Sequence, residues 1–265
     1  MPEGHILHRL ARLHTEWYSG APVRVSSPQG RFEDGARAVD GRVLVHVDAW
    51  GKHLFHHYDG GLAVHVHLGI YGAFTDTELP LGEPVGQVRM RMIGARHGSD
   101  LRGPAACEVL TEGEVDAIEA RLGPDPLRPD ADAERVWTRM SRSRSPIGSL
   151  LMDQSVIAGV GNVYRAEVLF RHNIHPGRPG RDLTRDEFDA LWSDLVELME
   201  VGAQRGRMHV VRTEHDDGMP SYAKDRPRTY VYRRTGEPCR VCGTPVLHKV
   251  MGARNLFWCP TCQPD

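Results

Sequence analysis

The chain has 265 residues, 40% of them hydrophobic, and a formal net charge of -2. That length and apolar content can build two domains with cores of their own, while no apolar run is long enough to span a membrane. The balanced charge excludes a uniformly basic nucleic-acid coat, but residues 1–134 hold 13 Lys/Arg against 20 Asp/Glu and residues 135–265 hold 20 against 15, an asymmetry that fits either a polyanion partner or ordinary solvated surface.

Residues 2–18 read as an amphipathic helix with Ile6, Leu10, Leu13 and Trp17 on one stripe. Removal of the initiator Met would leave Pro2 as a secondary amine with a pKa of about 8, partly neutral at cellular pH. Such an amine attacks an aldehydic sugar carbon to give an iminium that cannot shed its charge by losing an N–H proton and so promotes elimination. Glu3 beside it is a natural acid/base. Pro at a first helical position and an acid in the first turn also make a plain helix start.

Residues 23–94 turn short, Val-rich and alternating between glycines, the pattern of an antiparallel sheet or sandwich. Only three lysines stand among 33 basic side chains. Lys52, in an apolar strand context, therefore raises the question of an amine that changes charge; a solvated strand Lys is the alternative. Ile70-Tyr71 between Gly69 and Gly72 has the character of an apolar wedge on a turn, of the kind that fills the gap left by an everted nucleotide. A buried turn aromatic would look the same. His65 and His67 share a strand face without an evident third metal ligand, and Cys107 reads as a buried small side chain. Residues 112–121 suggest a helix, and residues 123–134 a stiff Pro-rich linker.

The second half begins helical, with Ser145 capping Pro146 at the first helical position of a helix over 147–157. A break at Gly159-Val160-Gly161 precedes a helix over 162–172. Gly161 and Asn162 at its start offer backbone N–H groups to an anion, although Asn162 also suits simple capping. Thr184 and Glu187 form a capping box for a third helix buried through Phe188, Leu191, Leu195 and Leu198. Residues 205–228 lack a period and are expected to be a mobile loop. Cys239, Cys242, Cys259 and Cys262 form two Cys-x-x-Cys pairs with sixteen residues between them, the spacing of a four-thiolate zinc site on a β-hairpin. One zinc ion is expected, structural because four thiolates leave no open position. The hairpin strands are expected over 246–250 and 255–258, with Arg254 at the tip to grip a phosphate. No signal peptide is evident, which favours zinc over disulfides and a reducing cytoplasm.

Taken together, Pro2-Glu3-Gly4, Gly51-Lys52, His67-Leu68-Gly69, the stretch from Asp153-Gln154-Ser155 through Gly161-Asn162-Val163-Tyr164 to Glu167, and Gly236-Glu237-Pro238-Cys239 with Arg254 and Cys259 to Gln263 resemble the formamidopyrimidine-DNA glycosylase and endonuclease VIII family. The resemblance runs from end to end. It implies an α+β multidomain fold: an N-terminal helix and β-sandwich (1–122), a linker (123–134), a helix-two-turn-helix domain (135–229) and a zinc hairpin (230–265). It further implies a monomeric DNA glycosylase and abasic-site lyase of base excision repair, working on damaged double-stranded DNA in the bacterial nucleoid. Pro2 would be the Schiff-base nucleophile, Glu3 the acid/base and Lys52 a helper, with Asn162 and Arg254 on phosphates. The Pro-Glu-Gly start and the Ile70-Tyr71 wedge resemble the endonuclease VIII branch, which acts on oxidised pyrimidines. Arg165 departs from the small residue usual at its position. The alternatives are a glycosylase preferring oxidised guanine and a non-catalytic zinc-hairpin protein that binds DNA damage.

Overall fold

A computed structural model describes residues 2–216, 218 and 228–265. It divides into two compact units, one ending at Leu122 and the other running Gly123–Asp265. The first unit opens with α1 (Gly4–Tyr18), followed by β1 (Ala21–Pro22), β2 (Arg24–Ser26), α2 (Glu33–Val39), β3 (Val43–Trp50), β4 (His53–Tyr58), β5 (Leu62–His67), β6 (Ala73–Glu78), β7 (Val88–Ile93), β8 (His97–Arg102), β9 (Ala106–Thr111) and α3 (Glu112–Glu119). The strands form two antiparallel sheets, β1-β3-β4-β5-β9 and β2-β7-β8-β6. Leu44, Leu54, Val64 and Val66 of one sheet and Met90, Met92 and Leu101 of the other meet Leu7, Leu10 and Tyr18 of α1 in a common core. Fully burying each such side chain contributes about 1.5–3 kcal/mol.

Strand periodicity sorts the histidines. On β4, Leu54, His56 and Tyr58 point inward, whereas His53, Phe55 and His57 lie on the outer face, where Phe55 joins Ala63 and Val115 under α3. The buried face of α1 differs from the expected stripe. Leu7, Leu10, Ala11, His14 and Tyr18 are buried, and Ile6, Leu13 and Trp17 only half so. The rotation has a polar cause: His14 Nδ1 lies 2.9 Å from His56 Nε2, and His14 Nε2 lies 3.2 Å from Asp76. Asp76 accepts from Ser99 at 2.6 Å, and the Ser99 hydroxyl lies 2.6 Å from that of Tyr18. This chain ties the helix to both sheets, although the buried His56 Nδ1 at its end has no hydrogen-bond partner among the described residues.

The second unit contains α4 (Ala133–Met140), α5 (Ile147–Leu150), α6 (Asn162–Arg171), α7 (Arg185–Arg205) and a hairpin of β10 (Leu247–Met251) and β11 (Arg254–Trp258). Residues 123–126, expected as part of a linker, are buried in this unit: Gly123 donates to Gln154 O, and Ala158 to Pro124 O. The helix expected over 147–157 is a single turn. Asp153 accepts from the Ser155 N–H and hydroxyl, and Gln154 bonds Val160 O and the Gly159 N–H, so local side-chain bonds replace helical ones. Pro146 sits at the N-cap rather than inside the helix, and Ser145 uses its carbonyl to accept from Gly180. The Thr184–Glu187 capping box forms as expected, and α7 ends at Gly206 with φ 68°. The expected loop over 205–228 begins inside α7, and residues 217 and 219–227 lie outside the described residues.

Candidate active site

In the first unit, Glu3 is the N-cap of α1, with extended backbone and its carbonyl accepting from Ile6 at 2.9 Å. Its carboxylate is fully buried at the positive end of the helix. Pro2 therefore stands outside the helix, half-buried, and its presence is not explained as a first helical residue. The helix it precedes packs against β3 and β4. Lys52 is half-buried in the turn joining those strands, not within a strand. Trp50 pairs with His53, and Gly51 has φ 62°, the glycine-first form of a tight two-residue hairpin. The turn fixes where the Lys52 stem emerges.

The turn after β5 carries Ile70 and Tyr71, which are 56% and 87% exposed. Two such side chains in water are unexpected for a turn that serves only packing. The backbone beneath them is held firmly. Gly69 has φ 67°, Gly72 donates to Leu68 O at 2.9 Å, and a Cβ on Gly72 would lie 2.3 Å from that same oxygen. His67 Nδ1 accepts the Gly69 N–H at 3.2 Å, so its other nitrogen carries the proton.

In the second unit, Gly161 is the N-cap of α6, and Asn162, the first helical residue, is buried. Asn162 Nδ2 donates to Asn255 O at 2.9 Å, next to Arg254 on β11. Arg254 is exposed beside the tip turn Gly252-Ala253, whose two residues have φ 60° and 58°, the type I′ geometry that matches strand twist. Helix start and hairpin tip are thus brought together, as sequence alone could not show. Arg165 is the device: buried to 1%, it donates to Asn162 Oδ1 and to the carbonyls of Gly148 and Asn255. Glu167, fully buried, accepts the N–H groups of Tyr230, Val231 and Tyr232 at 2.6–3.0 Å. Burial outweighs those bonds and raises its pKa. Gln263 accepts from Cys259 N and donates to Ile174 O.

The four cysteine sulfurs lie within 4.8 Å of one another, with Cys239–Cys262 at 3.8 Å and Cys242–Cys259 at 3.4 Å. Zn–S bonds of about 2.3 Å in a tetrahedron place sulfurs about 3.8 Å apart, so these thiolates fit a zinc ion and complete its coordination. The backbone N–H groups of Val241 and Cys262 point at sulfurs, as thiolate charge favours. Beneath the cluster, Cys239 and Cys259 pack with Val246, Phe257 and Tyr230.

Sequence reasoning missed the outer-face contacts of His53, His65 and Glu108; their placement needs strand register. The thiol of Cys107 is half-buried, and burial pushes it up to about 12.

Comparison with known proteins agrees with this architecture. Residues 1–103 match the formamidopyrimidine-DNA glycosylase N-terminal domain, residues 122–213 its H2TH domain, and residues 236–264 a zinc finger described for FPG and IleRS. Endonuclease 8 1 of Mycobacterium tuberculosis is 64% identical, covering 99% of this chain and 100% of its own. The formamidopyrimidine-DNA glycosylase of Thermus thermophilus is 32% identical, covering 89% of this chain and 87% of its own. A crystal structure of the Thermus thermophilus protein superposes with a TM-score of 0.78 at 30% identity, over 100% of this chain and 99% of that one. The Lactococcus lactis enzyme in complex with DNA containing an abasic site gives 0.80 at 19% identity, over 99% of this chain and all of that one. With a sandwich behind a Pro2-Glu3 start, a two-turn motif presenting Asn162 and a four-thiolate hairpin in one chain, the protein belongs to the formamidopyrimidine-DNA glycosylase family of DNA repair enzymes.

Proposed function

We propose that this DNA glycosylase is bifunctional, excising oxidised pyrimidines and then cleaving the strand at the abasic site through a Schiff base on Pro2. The observation that carries the reading is the N-terminal geometry: Pro2 lies outside α1 and next to a fully buried Glu3. Once Met1 is removed, the neutral Pro2 nitrogen attacks deoxyribose C1′ and the base departs with a proton. Sugar-ring opening then yields the iminium. Glu3 exchanges protons at the reacting carbon's neighbours, and loss of the C2′ proton expels the 3′-phosphate; a second elimination releases the 5′ side. Lys52 helps at its fixed turn, while the Gly161 and Asn162 helix start and Arg254 hold backbone phosphates. The cysteines would hold one zinc ion, which stiffens the Arg254 tip and takes no part in bond making.

Preference for pyrimidines is supported by the Pro-Glu-Gly start, by the exposed Ile70-Tyr71 wedge, and by 64% identity to a protein named Endonuclease 8 1. The test is a panel of duplexes with thymine glycol, dihydrouracil, 8-oxoguanine opposite cytosine, or an abasic site, with end-group analysis. Thymine glycol and dihydrouracil should be cut fastest; faster 8-oxoguanine excision would move the protein to the guanine branch. Borohydride should trap enzyme on abasic DNA, and Pro2→Gly should lose trapping by at least about a hundredfold. Tight binding without cleavage of any duplex would leave a damage-binding protein instead.

A further inference from the structure

Beside the proposed phosphate grip lies a buried cation to which the reaction gives no task. Arg165 follows Asn162 by three residues on α6, so the two share a helix face, and a long helical side chain lies back over the turn before its own Cα. That direction carries the guanidinium to the helix start, where the residue is 1% exposed. Nη1 donates to Gly148 O on α5 at 3.2 Å, and Nη2 donates to Asn162 Oδ1 and, at 3.5 Å, to Asn255 O on β11. The Gly148 end is held in turn: its N–H donates to Pro176 O at 3.0 Å, and a Cβ there would lie 3.2 Å from Met251 Sδ on β10. One planar fork that stays protonated thus spans α5, α6 and the hairpin.

These contacts decide which way the Asn162 amide faces. Its oxygen accepts from the guanidinium, and its Nδ2 donates to Asn255 O at 2.9 Å. Turning the amide over would set an NH2 group against the cation and an oxygen against a carbonyl oxygen. Both bonds would be lost at a residue only 5% exposed. An amide nitrogen carries two hydrogens, so one remains for an anion after Asn255 takes the other. A donor on Oδ1 also draws charge from that nitrogen and strengthens what it donates. The Asn255 carbonyl is one residue from Arg254, so the same cluster sets the hairpin strand that bears the second phosphate ligand.

We propose that Arg165 is a positioning residue for the phosphate grip: it fixes the Asn162 amide with Nδ2 as the donor and clasps the Arg254 strand to the start of α6, so that both ligands hold DNA as one unit. The inference rests on the phosphate roles proposed for Asn162 and Arg254. Because Arg165 is itself buried, its effect on DNA passes through those two residues.

The experiment measures affinity for a duplex carrying a stable tetrahydrofuran abasic analogue between about 50 and about 200 mM salt, where each phosphate neutralised contributes about 0.9 to the slope of log K against log salt. Arg254→Ala should lower the slope by about that amount. Arg165→Met should lower it equally, weaken binding at least about tenfold at the lower salt, and leave Arg254→Ala with no further effect on the slope. Arg165→Lys keeps a cationic side chain but not the fork, and should behave like Arg165→Met. Asn162→Ala should weaken binding in the wild-type background and by less than about twofold in the Arg165→Met background. A wild-type slope in the folded, zinc-loaded Arg165 variants, or Asn162 and Arg165 effects that simply multiply, overturns the proposal. Wild type supplies a reading that no folding defect can touch: one side-chain amide hydrogen of Asn162 should exchange slowly with solvent before DNA is added, and rapid exchange of both would overturn the proposal too. Arg254→Ala with an unchanged slope strikes the phosphate grip itself, and the inference with it.

Discussion

At the scale of single residues, position relative to secondary structure decided what each candidate can do. Glu3 was explicable as a first-turn acid until the helix was seen to begin at Gly4, which makes Glu3 a buried N-cap and leaves Pro2 outside. Lys52 moved from strand to turn for the same kind of reason: Gly51 supplies the positive φ that a two-residue connection requires. Tyr71 offers the clearest separation of function from stability. At 87% exposure it holds no core together, so Tyr71→Ala should change unfolding free energy by no more than about 0.5 kcal/mol. Excision from duplex DNA should nevertheless fall by about tenfold or more, because the space left by an everted nucleotide goes unfilled. Urea unfolding and single-turnover excision on one sample measure both; a large loss of stability with normal excision would make Tyr71 a packing residue.

Among the elements, the hairpin of β10 and β11 depends most on something outside its own packing. Its register runs from Leu247 with Trp258 to Met251 with Arg254, and several of its side chains face solvent, so a two-stranded piece of this kind is at best marginal alone. Beneath it the cluster of Cys239, Val246, Phe257 and Cys259 is small. Zinc removal by a strong chelator should therefore loosen the hairpin and release the Asn255 carbonyl from Asn162 and Arg165. DNA affinity should drop at least about tenfold while the sheet signal in circular dichroism stays, since the sandwich shares no ligand with the cysteines. Unchanged DNA binding after verified metal loss would remove the hairpin from the interface. The two turns between α5 and α6 show the opposite economy: Asp153, Gln154 and Ser155 hold them with their own side chains, which is why a helical period could be read there and no long helix formed.

Across the whole molecule, each unit has its own core, and the first is unusual in its buried imidazoles. His5 is brought down to about 4 and His53 to about 3, chiefly by burial, and His56, His57, His65 and His67 are all lowered, again first by burial. A group whose folded pKa lies below its unfolded value near 6.5 contributes stability that is complete above that value and is lost as pH falls toward the folded one. The thermal midpoint of the first unit should accordingly decline from pH 7 to about pH 4, and His56→Gln should flatten the decline; a midpoint independent of pH over that window would mean these rings titrate normally. By itself the sequence determined the chemistry that is local in the chain: the four thiolates at zinc spacing, the Thr184 capping box, the Pro2-Glu3 pair, the alternation that makes a sheet, and the family these motifs resemble. Tertiary structure alone decided which face of α1 is buried, that residues 123–126 join the second unit, that Asn162 meets the Arg254 strand, and that His53, His65 and Glu108 form a line. The division is physical. Spacing along a chain fixes ligand geometry, caps and periodicity within a few residues, whereas register between strands and the partners of buried polar groups depend on segments tens of residues apart, where only packing can choose.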